Sequence, residues 1–419
     1  MRTATSAAVA ASLGTAARAA ASNRIGVGVI GCRNRGTTVA KHMLRSEQFD
    51  IVAMCDCDDA MLARGLLDVQ KATEGKPKRE KDFRRLLDDK DVDAVLVATP
   101  DHWHAMMTVM ALDAGKHVYI EKPASFNIDD GKAMVAAQNK HPDLAVQVGT
   151  QQRSGPHFRE AKDFIASGAL GKVATCRAST IGERHLVPII PNSDPPESLD
   201  YDMWCGPAPK RPYNKELLHY NWHFLFDYGT GDMGNWGAHW LDVLRWLLGL
   251  DLPKSVSAYG GQFVVHDAKE WPDTQTVLYE YPELTIIWEL RHWSRFMPGG
   301  GKGNCCEING DKGSLIIDRG GWTFYPRDKD LEPVSHEKSE LDLNHVSSFA
   351  DAVRGEAAPS APIVEGHKSA ALCHLGNIAA VLNRRVEFDA KSETIVGDKA
   401  AAKMMGRPYR KPWSLREYI

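Results

Sequence analysis

The first half of the chain alternates short apolar segments with longer amphipathic stretches, and this alternation restricts the possible folds more than any other feature. Apolar segments without polar interruptions, such as IGVGVI at residues 25–30, predict strands that are buried on both faces. The stretches between them have the length of crossover helices, which connect parallel strands. The sequence therefore predicts an α/β fold that begins with a doubly wound parallel sheet. Its predicted strands are residues 25–30, 50–55, 92–98, 117–120 and 144–148, and its helices run up to residue 45 and over residues 59–71, 82–87, 103–114 and 128–139.

The pattern changes after Gly149, where strand-like segments alternate polar with apolar residues and Gly, Pro and Asp mark the turns. Such segments predict a second domain with an open, mainly antiparallel sheet. We therefore predict one domain at residues 22–149 and another at residues 150–419. The predicted strands of the second domain are residues 172–181, 256–265, 274–281, 285–292 and 314–318, and its helices are residues 235–248, 345–354 and 367–384.

Length and charge exclude several classes of protein. A chain of 419 residues is too long for one ordinary hydrophobic core, which agrees with two domains. Its 51 Lys and Arg residues nearly balance its 54 Asp and Glu residues, so nothing in the composition favours nucleic acid as a partner. The short basic cluster at residues 76–81 is interpreted as a solvated loop. No long apolar run follows the N-terminal segment, and we predict no membrane span.

Residues 1–21 are interpreted as an export signal. Basic Arg2 precedes a weakly apolar, Ala-rich stretch, and small residues surround a possible cleavage site near Ala17. The segment resembles the apolar part of a twin-arginine signal, although only Met1 precedes Arg2. The alternative is a frayed Ala-rich helix or a disordered leader. We expect an exported, periplasmic protein, and a cytoplasmic one if the interpretation as a signal fails.

The turn after the first predicted strand reads Gly31-Cys32-Arg33-Asn34-Arg35-Gly36, which has the spacing of a dinucleotide-binding turn. Arg33 replaces the central glycine that lets the backbone approach a pyrophosphate. Asp56 follows the next strand, where a carboxylate binds a ribose diol and repels a 2′-phosphate, so NAD is favoured over NADP. Arg33 either weakens this site or pairs with phosphate oxygens, and a plain turn without nucleotide is the alternative. The predicted cofactor contacts here are Gly31, Arg33, Asn34, Arg35, Gly36 and Asp56.

Three further motifs, together with that turn, carry a family resemblance: TPDHWH at residues 99–104, EKP at 121–123 and GDMGNWGAHWLDVLRW at 231–246. The chain resembles the Gfo/Idh/MocA oxidoreductases. The resemblance implies a Rossmann domain followed by an α/β domain whose open sheet forms an oligomer interface, and hence a homo-oligomer. It also implies hydride transfer between NAD(P) and a hydroxyl of a sugar or polyol. The cofactor contacts that it adds are Thr99, Pro100, His102, Trp103, His104, Glu121, Lys122 and Gln151.

Oxidation of an alcohol needs a base for the hydroxyl proton, and Lys122 is the predicted base. His239 and Asn235 lie one helical turn apart and are the other predicted catalytic residues. The family has Asp at the position of Asn235, and an amide cannot take up a proton at neutral pH. The structural alternatives are a surface lysine paired with Glu121 and a histidine buried in the core.

Aromatic residues concentrate before and within the predicted helix at 235–248, and aromatic rings stack on the apolar faces of sugars. Core packing is the alternative interpretation of these rings. The pair His102 and His104 has no recognisable third ligand, so we predict no metal. The predicted substrate contacts are Arg153, Tyr220, Trp222, Trp236 and Asp242.

The sequence favours an NAD-dependent dehydrogenase of a sugar, glycoside or polyol. One alternative, exemplified within the family by NAD-dependent α-N-acetylgalactosaminidases, is a glycoside hydrolase or lyase that oxidises its substrate transiently. An exported protein meets little free dinucleotide, and this argument favours a tightly held, self-recycled cofactor. A second alternative is a non-catalytic nucleotide- or sugar-binding protein, in which Arg33 and Asn235 would be degenerate positions.

Overall fold

The N-terminal half contains the parallel sheet that its apolar segments predict. The computed structural model describes residues 24–296 and 302–417, so the predicted export segment lies outside the described residues. The six strands are β1 (Ile25–Ile30), β2 (Phe49–Cys55), β3 (Lys78–Glu80), β4 (Ala94–Val97), β5 (His117–Ile120) and β6 (Val146–Val148). Their order is β3-β2-β1-β4-β5-β6. Strands up to β3 are added on one side of β1 and later strands on the other side, so the strand order reverses between β1 and β4. The prediction of a doubly wound parallel sheet is confirmed, and a ligand crevice is expected at that reversal.

Five helices connect these strands, and short polar side chains begin several of them. Asp58, Asp82 and Asn127 each accept a hydrogen bond from a backbone N–H in the first turn that follows, which satisfies a donor that the helix leaves unpaired. The helices are α1 (Arg35–Arg45), α2 (Asp59–Gln70), α3 (Phe83–Leu87), α4 (His104–Asp113) and α5 (Ile128–Lys140).

The basic cluster at residues 76–81 is not entirely a loop. Its residues Lys78–Glu80 pair with β2 and form the edge strand β3. Lys78 stays exposed and pairs with Asp89 and Asp91. Charged residues on an edge strand discourage pairing with another chain, so charge and strand formation are compatible here.

The second half forms a ten-stranded sheet that is antiparallel except where β7 pairs with β10. The order is β14-β13-β12-β11-β7-β10-β9-β8-β15-β16, which confirms the predicted mainly antiparallel sheet. Its strands are β7 (Val173–Ile181), β8 (Ser255–Gly261), β9 (Thr274–Glu280), β10 (Thr285–Arg291), β11 (Asn304–Gly310), β12 (Gly313–Asp318), β13 (Gly321–Pro326), β14 (Val334–Glu337), β15 (Val386–Asp389) and β16 (Thr394–Val396). The helices of this half are α6 (Pro156–Ala166), α7 (Tyr201–Cys205), α8 (Ala238–Leu248), α9 (Asp342–Val353), α10 (Ile363–Leu382) and α11 (Lys399–Lys403).

Several predicted elements have different bounds in the structure, among them one strand and one helix of the second half. The strand predicted at residues 256–265 stops at Gly261, because the Asp273 carboxylate accepts hydrogen bonds from the backbone N–H groups of Phe263, Val264 and Val265. The helix predicted from Asn235 begins as a π-helical turn, Met233–Gly237, and becomes α-helical only at Ala238. Such turns are often found at functional sites.

The C-terminal helices return to the first sheet. Phe349 of α9 packs against Phe49 and Tyr119, with ring centroids 6.1 and 5.7 Å apart. The start of α10 places Ile363 and Ala370 in the other core of the first half. Residue 149 remains our proposed domain boundary along the chain, but the apolar faces of the first sheet are completed by residues beyond 340.

A buried ion pair fixes α8 to the end of β6. Arg153 donates to both oxygens of Asp242 at 2.7 to 3.1 Å, and the two side chains are only 4% and 1% exposed. Ser369 donates to the same carboxylate at 2.6 Å. Arg153 and Asp242 were predicted to contact substrate, but in the structure they form an ion pair with each other in the protein interior. A buried charge is stable only when it is paired.

We expect Arg153→Met to destabilise the protein by about 3–5 kcal/mol, because the Asp242 carboxylate would stay buried without its cation. Urea unfolding measures this loss. Asp68→Asn, which breaks the exposed pair with Lys71, is the matched control and should change the unfolding free energy by less than about 1 kcal/mol. Equal effects of the two substitutions would contradict a structural role for the buried pair.

Candidate active site

The turn between β1 and α1 depends on two glycines. Gly31 has a φ of +92°, and a Cβ there would lie 2.5 Å from the Ala98 carbonyl oxygen. A Cβ on Gly36 would lie 1.9 Å from the carbonyl oxygen of Gly31. No side chain caps the N-terminus of α1, so its first turn is free to face an anion. The turn thus keeps the shape of a dinucleotide-binding turn although its central glycine is missing.

Arg33, at the position of that glycine, reaches across the cleft. Its Nη1 donates to the carbonyl oxygen of His219 at 3.0 Å, and its guanidinium carbon lies 5.8 Å from the centre of the Tyr220 ring. His219 in turn bonds Asp58 Oδ2 through its Nε2 at 2.8 Å. Residues 214–224, here termed the covering segment, therefore lie over the turn and are held from both sides. Arg33 can still meet a phosphate from this position, since its Nε and Nη2 are not used in that bond.

Asp56 lies at the carboxyl end of β2, as a ribose-binding carboxylate should. It accepts hydrogen bonds from the backbone N–H groups of Cys32 at 2.9 Å and Asp58 at 3.0 Å. Burial raises the pKa of Asp56, and these two N–H groups oppose that rise by stabilising the charged form. The carboxylate faces the cleft and keeps lone pairs for a diol. The residues present therefore fit the adenosine end of NAD.

The cleft has two adjoining parts that share Arg33, Ala98, Thr99, His219 and Trp222. The first part, about 100 Å³, runs along the carboxyl ends of β1, β2 and β4. The second, about 350 Å³, lies between the first sheet and the π-helical turn. Sequence-predicted residues that line the first part are Gly31, Asp56, Pro100 and Trp103. Those that line the second are Asn34, Arg35, Glu121, Lys122, Gln151, Tyr220, Asn235, Trp236 and His239.

Lys122 and Asn235 meet in the second part of the cleft. The ammonium nitrogen of Lys122 donates to Asn235 Oδ1 at 2.6 Å and to the Asn235 carbonyl oxygen at 3.2 Å. The other end of the amide donates to Asp232 Oδ1 at 2.9 Å. Asp232 is fully buried, binds Arg184 through two hydrogen bonds of 2.8 Å, and lies 2.7 Å from Nε2 of His292. Lys122 and Asn235 are thus the end of a longer series of polar contacts that continues through Asp232 to Arg184 and His292.

Burial changes the charge states of the two titratable groups. It lowers the pKa of Lys122, and neighbouring cations lower it further while Glu121 and Asp101 oppose them. It also lowers the pKa of His239 well below its ordinary value, with help from Arg319 and Lys122. His239 is therefore a neutral imidazole near neutral pH, and its Nδ1 has no hydrogen-bond partner among the described residues. A neutral ring can both donate and accept a hydrogen bond in the cleft.

Two histidines that were predicted to contact the cofactor bind backbone carbonyl oxygens instead. His102 is fully buried, and its ring nitrogens lie 3.2 and 3.0 Å from the carbonyl oxygens of Tyr228 and Trp204. His104 bonds the carbonyl oxygens of Pro123 at 2.7 Å and Thr99 at 3.0 Å. The structure does not bring either ring to the cleft, because each lies beneath the loops that line it. His104 nevertheless ties together the two strand ends that carry Thr99 and Lys122.

Sequence reasoning missed several residues of the second part. Asp232 lies within the motif at residues 231–246, but only Asn235, Trp236, His239 and Asp242 of that motif were predicted to be site residues. Arg184, Arg319 and His223 were not among the predicted site residues. Arg319 lies in the turn between β12 and β13, more than seventy residues from any other lining residue in the sequence, so no local pattern could reveal it. The residues that complete this wall are Arg184, His223 and Arg319, and Asp232 lies buried behind Asn235.

Comparisons with known proteins agree with this geometry. The family model described as "Oxidoreductase family, NAD-binding Rossmann fold" matches residues 25–150. Its companion, "Oxidoreductase family, C-terminal alpha/beta domain", matches residues 178–290 and 300–415. The chain belongs to the Gfo/Idh/MocA oxidoreductase family. The family resemblance, the α/β fold class and the NAD-binding fold predicted from the sequence are therefore confirmed.

Similar proteins include sugar- and polyol-acting enzymes. The chain is 29% identical over 180 residues to the myo-inositol 2-dehydrogenase of Thermotoga maritima, which is 43% of this chain and 49% of that protein. It is 34% identical over 110 residues to a glycosyl hydrolase family 109 protein of Shewanella pealeana, or 25% of this chain and 24% of that protein. The chain thus spans half or less of the length of these curated relatives.

Among solved structures, the aldose-aldose oxidoreductase of Caulobacter crescentus superposes with a TM-score of 0.66 over 87% of this chain and the whole of that chain, at 20% identity. This likeness shows a common fold. Within residues 24–296 and 302–417, no helix combines the length and apolar character needed to cross a membrane.

We expect the protein to bind NAD more tightly than NADP, because the Asp56 carboxylate attracts a ribose diol and repels a 2′-phosphate. Asp56→Asn should reduce the ratio of the dissociation constant of NADP to that of NAD about tenfold, since a charged acceptor is replaced by a neutral amide. Titration of tryptophan fluorescence measures both constants. Asp59→Asn, an exposed neighbour paired with Lys81, is the control. Equal affinity of the unaltered protein for both dinucleotides would contradict the role of Asp56.

Proposed function

We propose that the protein is an NAD-dependent dehydrogenase that oxidises a CH–OH group of a sugar, glycoside or polyol, with Lys122 as the base. The observation that carries the proposal is the 2.6 Å bond between Lys122 Nζ and Asn235 Oδ1 at the carboxyl end of β5. It aims a lysine with a lowered pKa into a cleft that fits a dinucleotide at its other end. The relatives that act on inositol and aldoses support this class of substrate.

Each chain residue has a distinct task in the proposed reaction. Neutral Lys122 accepts the proton of the substrate hydroxyl, and bound NAD supplies the acceptor for the hydride that leaves the same carbon. Asn235 orients the lysine nitrogen, and its own amide is oriented by Asp232. Asn235 cannot take the proton itself, so the proton leaves Lys122 to solvent through the open cleft. His239 holds the substrate oxygen by a hydrogen bond.

Aromatic rings beside these groups support a carbohydrate ligand. Trp222 and Trp236 line the second part of the cleft, and Tyr220 is 39% exposed at its rim. Such rings bind the apolar faces of sugars while the neighbouring polar groups bind hydroxyls. Gln151 adds a carbonyl oxygen that has no hydrogen-bond partner among the described residues. The combination fits a ring bearing several hydroxyls.

We expect Lys122→Ala to lower kcat about 10²- to 10⁴-fold while NAD binding stays within about threefold, because only the proton acceptor is removed. Reduction of NAD at 340 nm and fluorescence titration measure the two effects. Lys71→Ala, at a lysine 76% exposed, is the control. In the unaltered protein, kcat/KM for oxidation should rise with pH, with its midpoint below the value of about 10.4 for a free lysine. Full activity of the Lys122→Ala variant would contradict the role of Lys122 as the base.

The covering segment favours a second candidate function, glycoside cleavage by transient oxidation. Arg33 and Asp58 hold this segment over the dinucleotide turn, so exchange of a bound cofactor would require both bonds to open. A cofactor that stays in place suits a reaction in which the hydride returns to the product. The relationship to a glycosyl hydrolase family 109 protein supports this candidate.

We expect the purified protein to contain NAD at more than half of its sites without added cofactor, because the covering segment restrains release. Denaturation followed by mass spectrometry identifies and counts the nucleotide. His219→Ala, which removes the bond to Asp58, should lower the content, whereas His266→Ala, at an exposed histidine outside the covering segment, should not. Purified protein without nucleotide would contradict retention and favour a dehydrogenase that exchanges its cofactor.

We also infer a homo-oligomer and an exported location. One face of the second sheet exposes apolar side chains, among them Tyr259, Leu278 and Tyr325, which are 64%, 44% and 46% exposed. The opposite face packs against helices, as buried Val277 and Tyr279 indicate. An exposed apolar sheet face of this kind supports association with a second copy. Export rests on the sequence of residues 1–21 alone.

A further inference from the structure

We propose that Arg319 binds a carboxylate group of the substrate, so that the preferred substrates are sugar acids or acidic polyols. This inference rests on the proposed function and specifies its substrate class. Arg319 extends from the turn between β12 and β13 into the second part of the cleft. Its guanidinium carbon lies 5.6 Å from the centre of the Trp236 ring.

Arg319 has no anionic partner among the described residues. Within residues 24–296 and 302–417, no carboxylate lies within 4 Å of its guanidinium, and no group there forms a hydrogen bond with its buried Nε. A guanidinium keeps its charge at any ordinary pH, and burial of an unpaired charge is unfavourable. Stacking on Trp236 accounts for only part of the stabilisation that such a group needs. A ligand that carries a negative charge supplies the rest.

Two other arginines of this part of the cleft already have anionic partners. Arg35 pairs with Glu121 at 2.7 Å and with Asp342 at 2.9 Å. Arg184 is neutralised by Asp232. Arg35 repels Arg319 across the same wall, while Asp342 and Glu121 attract it without forming an ion pair with it. The positive charge left for a ligand is therefore that of Arg319.

The size of that charge favours a carboxylate over a phosphate. Lys122 must be neutral to act as a base, so it contributes no charge to substrate binding in the working state. Arg33 lies on the dinucleotide turn, where the cofactor carries its own phosphates. One guanidinium then faces the substrate, and it matches the single charge and fork geometry of a carboxylate. A phosphate monoester would leave about one negative charge uncompensated.

The test uses matched pairs of the same stereochemistry: glucose with glucuronate, galactose with galacturonate, and mannose with mannuronate, plus glucose 6-phosphate. NAD reduction is measured for each, with binding of each sugar to the NADH-loaded protein measured by calorimetry. We expect at least one acid to exceed its neutral partner about tenfold or more in kcat/KM. Arg319→Gln should lower kcat/KM for that acid about 10- to 100-fold, mainly through KM, and change the neutral sugar less than threefold. For that acid, kcat/KM of Arg319→Lys should lie between the values of the unaltered protein and of Arg319→Gln.

Arg327→Gln, at an exposed arginine just beyond β13, is the control and should leave both members of each pair unchanged. Equal kcat/KM values for the acid and the neutral sugar in every pair would overturn the carboxylate site. The proposal that the protein is a dehydrogenase would not be affected by that result. A preference for glucose 6-phosphate would also overturn it. If no sugar reduces NAD, the proposed function fails, whereas tighter binding of an acid that Arg319→Gln abolishes would still support the site.

Discussion

The hydrogen bond from Lys122 to Asn235 joins the two halves of the chain across the cleft, and both ends of this bond are held in place. Lys122 follows β5 of the parallel sheet, and Asn235 lies in the π-helical turn that leads into α8. His104 fixes the loop after Lys122 through the Pro123 carbonyl, and Asp232 fixes the amide of Asn235. The site therefore depends on the relative placement of the two halves of the chain.

Some polar groups of this site have hydrogen-bond partners within the protein, and others do not. The first kind supports the site, and the second kind is available to ligands. Deep carboxylates such as Asp232 and Asp242 have complete sets of donors, as buried charges require. Toward the open cleft, polar atoms lack partners: His239 Nδ1, His223 Nε2, Gln151 Oε1 and Arg319 Nε have none among the described residues. Buried polar groups are nearly always paired in folded proteins, so these atoms are available to a polar ligand that enters the cleft.

The sequence predicted the first half well because parallel strands are short, apolar throughout and separated by helices of regular length. The site residues there follow strand ends, as Gly31, Asp56, Thr99 and Lys122 do, so the position of each in the fold could be read from the chain. Prediction failed where distant segments decide the outcome. The exposed strand β3 forms only because β2 offers an edge, and β8 is shortened by the carboxylate of Asp273.

The second half shows the same limit in its site residues. Arg153 and Asp242 have the residue types of a substrate site, but only the three-dimensional structure shows that they pair with each other. Strands such as β11 and β13 were not predicted, since their alternation is short and interrupted by glycine and cysteine. Arg319 enters the cleft from a turn that carries no sequence signature. Local patterns therefore identified site residues at strand ends and missed residues that folding brings from distant parts of the sequence.

The return of α9 and α10 to the first sheet has a consequence for biosynthesis. Residues 345–370 complete the apolar faces of strands that the ribosome makes some three hundred residues earlier, as the packing of Phe349 on Phe49 illustrates. The nascent parallel sheet must therefore keep apolar surface uncovered until most of the chain has been synthesised. During that interval it is a substrate for chaperones that bind exposed hydrophobic segments, and translation speed influences how much of the chain reaches the native state.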